Sequence, residues 1–106
     1  MQFKDDQSKI RWETVVKDNN SRPYGAGILS FANNFAELIE EEKFKNPSYN
    51  LADKLPKHIA QANESTGNIT RCMKSAALQI LIDVWLYGDE LAECSEKQYL
   101  CSGLRF

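Results

Sequence analysis

Apolar residues recur along this chain at steps of three and four with polar residues between them, and no stretch alternates with period two. The densest run lies between Ala76 and Tyr87, where only Gln79 and Asp83 are polar. That run sits inside Asn68 to Glu93, which the pattern predicts to be one long central helix, buried on more than one side. Upstream, Ile28, Phe31, Phe35, Leu38 and Ile39 line one face of a second helix running from Tyr24 to Phe44, with Asn33, Asn34, Glu37, Glu40 and Glu41 on its other side. Asn46-Pro47 ends it. Leu51, Leu55, Ile59 and Ala62 predict a third helix over residues 50–63, kinked or restarted at Pro56, where a backbone donor is missing.

Trp12, Val15 and Val16 predict a short helix over residues 10–17, with a strand as the alternative because the valines are β-branched. Residues 1–9 read as a loose polar arm with Phe3 as its one anchor. Asp18 to Pro23 is a turn, and Glu64 to Asn68 a loop in which Ser65, Thr66 or Asn68 caps the long helix. Tyr99, Leu100, Leu104 and Phe106 give the C-terminal tail enough apolar surface to dock on the bundle. The expected fold class is all-α, a small antiparallel helical bundle forming a single domain over residues 1–106.

Composition narrows the function. With 13 basic and 15 acidic side chains the net charge is −2, which supplies no sequence-independent attraction to nucleic acid. His58 is the only histidine, so chemistry needing two imidazoles is excluded. Cys72, Cys94 and Cys101 have no C-x-x-C or Cys/His spacing, so neither a zinc site nor a disulfide framework is indicated. The N-terminal residues are too polar for a signal peptide and no apolar run is long enough to span a bilayer, so a cytoplasmic protein without a cofactor is expected.

Candidate chemistry is sparse. Pro23 to Gly27 lacks the strand, third glycine and Gly-Lys-Ser/Thr of a phosphate loop and reads as a turn. His58 has no evident partner and reads as a surface or capping residue, while Cys72, aligned with Ala76 and Ile80, reads as a small core residue. Arg71, Ser75, Gln79 and Asp83 form a solvent-facing polar seam on the long helix. Glu37, Glu40, Glu41 and Glu42 crowd one helix end and Asp89, Glu90, Glu93 and Glu96 another. Brought together, these carboxylates would resemble a metal-binding bundle without its Glu-x-x-His pairs; kept apart, they present acidic surfaces to a basic partner.

Taken in order, the motifs resemble a family of small uncharacterised proteins of tailed bacteriophages and prophages. They are W-x-x-V-V from Trp12, Tyr24-Gly25, Phe31-Ala32, Phe35 to Leu38, Ala62-Asn63, Gly67 with Ile69-Thr70, Met73, and W-x-x-G-D-E-L from Trp85 to Leu91. The resemblance spans about 80 residues, with Phe35 standing where the family pattern has tryptophan. It implies a phage accessory protein in a bacterial cytoplasm that binds a host protein, such as a defence nuclease or a CRISPR effector complex. The expected function is non-enzymatic inhibition of that host protein, with Trp12, Tyr24, Glu37, Glu40, Glu41, Asp89, Glu90 and Glu93 as partner-binding residues. A carboxylate-rich metal-binding or enzymatic bundle is the alternative, and a homodimer through the long helix is compatible with the pattern.

Overall fold

The computed structural model describes residues 1–17 and 26–98, with side chains to residue 94. The predicted turn at Asp18 to Pro23, Tyr24, and the tail from Tyr99 lie outside these. Among the described residues the elements are five helices, α1 (Asp6–Lys17), α2 (Ala26–Lys45), α3 (Leu51–Thr66), α4 (Arg71–Val84) and α5 (Gly88–Gln98). The all-α bundle expected from the periodicity is the fold observed.

Helix α2 contributes the largest share of the core. Ile28, Leu29, Phe31, Ala32, Phe35, Ala36 and Ile39 are all buried, and the helix packs along both α3 and α4. Facing them are Leu51, Leu55, Ile59 and Ala62 of α3 and Ala77, Leu78, Ile80, Leu81 and Val84 of α4, with Leu91 of α5 closing the cluster. Phe31 and Phe35 stack at 5.9 Å, and the edge of Trp85 meets Phe35 at 6.3 Å.

The single long helix predicted over residues 68–93 is instead two. Trp85 leaves the helical region (φ −79°, ψ 143°), and the Gly88 N–H donates to the Trp85 carbonyl at 2.8 Å, turning the chain into α5. The apolar run is continuous because Trp85 in the turn is buried together with the inner faces of both helices, not because the backbone is one helix. Gly88 makes the turn feasible: a Cβ there would lie 2.7 Å from the Leu81 carbonyl oxygen and 2.6 Å from that of Ile82.

Residues 1–9 are no loose arm. Lys4 N–H donates to the Val84 carbonyl at 3.0 Å and Leu86 N–H to the Gln2 carbonyl at 3.0 Å, so Phe3 pairs with Trp85 in an antiparallel bridge. The polar residues that suggested looseness are used for backbone pairing and capping, as where Asp5 Oδ1 accepts from Ser8 N–H at 2.8 Å and starts α1 four residues before the predicted position.

Helix α3 passes through Pro56 without a break. Pro56 is exposed, and the inner face of the helix, held by α2, outweighs the single missing bond. The helix reaches Thr66, into the predicted loop, and ends on Gly67 in the left-handed region (φ 97°), whose N–H donates to Asn63 O at 3.1 Å. The cap of α4 is Thr70, whose Oγ1 accepts from Met73 N–H at 3.2 Å, and not Ser65, Thr66 or Asn68.

Candidate partner-binding surface

The polar positions of α2 divide into two groups with different uses. Ser30, Asn33, Glu37, Glu41 and Phe44 follow one another at steps of three and four along the outer side of the helix, opposite Phe35 and Ile39. Asn33 Nδ2 donates to Glu37 Oε1 at 3.4 Å, and Lys45 Nζ to Glu41 Oε1 at 2.8 Å, so this stripe keeps its carboxylates in water. That exposed pair holds the Glu41 carboxyl below its ordinary range and raises Lys45, in each case first through the hydrogen bond.

Glu40 is turned the other way. Its Oε2 accepts from Gln2 N–H at 2.7 Å and from Trp85 Nε1 at 2.8 Å, while the Met1 amino group lies 3.8 Å from Oε1. This side chain is only 16% exposed. It joins the N-terminal segment and the α4–α5 turn to α2. Glu90 is similarly engaged: both its oxygens accept from Lys43 Nζ, at 2.9 and 3.2 Å, and that ammonium lies 4.7 Å from the Tyr87 ring centroid. The Lys43–Glu90 pair brings the two predicted acidic ends into contact at one point through a cation.

Asp89 accepts from Lys4 Nζ at 3.0 Å yet is 93% exposed, and Glu93 is exposed. Trp12 is half-buried against Phe3, with ring centroids 6.5 Å apart, and with Met1, Val16, Lys17 and Asn33 it lines an open groove of about 490 Å³ between α1 and α2. Because Asn33 also bonds Glu37, the groove continues into the outer stripe of α2. Tyr24 lies outside the described residues.

Two further expectations change. His58 is buried, 3% exposed, beside the Tyr49 ring at 5.8 Å, rather than on the surface. It follows Leu51 by seven residues and so shares the inner face of α3. Burial lowers its pKa and raises that of the Tyr49 phenol. Cys72 is exposed rather than in the core, because coverage of α4 begins only at Ala77. The seam on α4 faces outward at Arg71, Gln79 and Asp83, and its Asp83 Oδ2 pairs with Arg11 Nε of α1 at 2.6 Å. Among the described residues no three His, Cys, Asp or Glu side chains are grouped so as to hold a metal ion.

Sequence reasoning overlooked Phe44, which is 91% exposed. The signal was present in its distance from Phe35: nine residues, about two and a half turns, places it on the opposite side of the helix.

No curated protein and no solved structure matches the chain. A family model described as "Type I Thoeris inhibitor Tad4" matches residues 1–104. This agrees with the phage setting inferred from the motifs and directs attention to a bacterial defence system, although it lends no support to a CRISPR effector as the example. The chain therefore belongs to the Tad4 family of Type I Thoeris inhibitors, phage proteins that act against a host defence.

Proposed function

We propose that this chain inhibits Type I Thoeris without catalysis, by binding a protein component of that system in the bacterial cytoplasm and covering a surface that the component needs. The observation that supports this reading best is where its functional groups stand. Glu37, Glu41, Asp89 and Glu93 are exposed on the outside of α2 and α5; Asp89 lines one open groove, and Asn33, which bonds Glu37, lines another. A protein that sequesters a small signalling molecule encloses most of its ligand and, for an anionic one, supplies several cations. Among the described residues the open groove beside Trp12 is lined by Lys17 together with Glu13, and in the second groove Lys4 and Arg11 stand beside Asp89 and Asp83. Exposed carboxylates beside an aromatic groove suit a basic protein surface, where charge complementarity steers association.

The test uses the purified chain and each purified protein of a Type I Thoeris system that it inhibits in cells. Wild-type chain is expected to bind one of them directly, and the variant with Glu37, Glu41, Asp89 and Glu93 all changed to lysine is expected to bind at least about tenfold more weakly at low salt. Binding of none of the proteins, combined with capture of a small molecule from activated cells, would replace this reading with sequestration. A stoichiometric transition metal in the purified protein would favour the metal-binding alternative instead.

A further inference from the structure

Among the described residues none covers Phe44. It lies in the last turn of α2, 91% exposed, on the side of the helix opposite the core. Phe3, Trp12, Phe31, Phe35, Trp85 and Tyr87 each meet another aromatic ring within the fold. An aromatic in open water contributes nothing to folding, and alanine is the better helix former. Its neighbours along the same stripe are Glu41 and Glu37, both exposed, with Asn33 leading on to the Trp12 groove. About 16 Å of helix separates Asn33 from Phe44, the width of a single docking patch.

We propose that Phe44 is the anchor of the inhibitory interface, inserting into an apolar pocket of the Thoeris protein whose rim carries lysine or arginine side chains opposite Glu37 and Glu41. This rests on the protein-binding reading above and names the partner's chemistry. The apolar ring with carboxylates one turn away on the same stripe specifies that occupant. A purely apolar surface would desolvate the two carboxylates and leave them only Lys45 and the Asn33 amide as partners, and an acidic one would repel them. Central aromatic anchors of this kind dominate interface energetics, while flanking charges set approach and register.

The experiment measures binding kinetics of wild type, Phe44→Ala and the double variant Glu37→Lys/Glu41→Lys against each purified Thoeris protein, with thermal melts of all three. Phe44→Ala is expected to melt with wild type and to weaken binding by roughly 30-fold or more, mainly through faster dissociation. The double variant is expected to slow association by roughly tenfold at low salt, with the difference shrinking at high salt. If wild type binds but Phe44→Ala binds equally well, the anchor is wrong and the protein-binding reading stands. If wild type binds none of the proteins, both fall. A dimer of the chain that Phe44→Ala abolishes would assign the patch to self-association and overturn the proposal.

Discussion

Glu40 and Glu41 are adjacent acidic residues with opposite uses, and the difference is one of direction around a helix. Glu40 receives a backbone N–H from residue 2 and the Trp85 indole N–H on a single oxygen, whereas Glu41 reaches only Lys45 one turn along the surface. Replacing Glu40 with alanine leaves both donors without an acceptor in a half-closed site, and is expected to cost about 2 kcal/mol, lowering the melting midpoint by about 10 °C. Glu40→Gln, which keeps an acceptor, should lose less. Glu41→Gln should leave the melt unchanged, because exposed ion pairs are screened by solvent.

His58 gives stability a pH dependence whose sign follows from its burial. Desolvation by the core lowers its pKa, against the opposite pull of Gln61 and Glu42 and with a small contribution from Lys57 and Lys54. The Tyr49 ring also packs against it. With a folded pKa below the ordinary value of 6.5, the unfolded chain binds the proton more readily. The native state is therefore fully favoured above about 6.5 and loses stability as the pH falls from there through the folded value. Urea midpoints at pH 7.5 and pH 5 should show this, and His58→Phe should flatten the difference. A midpoint that rises on acidification would contradict the assignment.

Among elements, the turn from α4 to α5 carries the most constraint. Its position depends on three residues that could not be read as one signal: Trp85 buried within the turn, Gly88 beneath two carbonyls, and Phe3 paired alongside. Gly88→Ala places a methyl 2.6 Å from a backbone oxygen that cannot move without unwinding the last turn of α4. It is expected to destabilise by about 2–3 kcal/mol, checked by chemical denaturation. Elements that depend on a local pattern were easier to read. Helix α2 followed its apolar spacing to within a turn, and α1 was recognised from Trp12 and Val15 although its start was placed too late.

At the scale of the molecule, α2, α3, α4 and α5 share one core and α1 packs on α4, and among the described residues nothing covers the outer side of α2. Among the described residues no helix is long and apolar enough to cross a membrane. Glu40 ties the N-terminal segment and the α4–α5 turn to α2, and Lys43, which bonds Glu90 between the rings of Tyr49 and Tyr87, ties α2 to α5. These ties lie on the inner edge of the acidic region. Its outer edge, Glu37 and Glu41, is thus carried on a rigid support, and a surface held in this way loses little conformational entropy when a partner covers it.

By itself the sequence determined the helical class, the apolar faces of α2 and α3, and the phage setting, because spacing and short motifs are local properties of the chain. It also placed carboxylates at the ends of two helices. Only the tertiary structure decided how they are used, since a neighbour 38 residues away claims Glu40 and one 47 residues away pairs with Glu90. It likewise decided that the stretch predicted as one helix over residues 68–93 is two, that the polar N-terminal segment is paired, and that no described residue covers Phe44. Hydrophobic pattern records whether a residue is covered; what covers it depends on packing between segments distant in the chain.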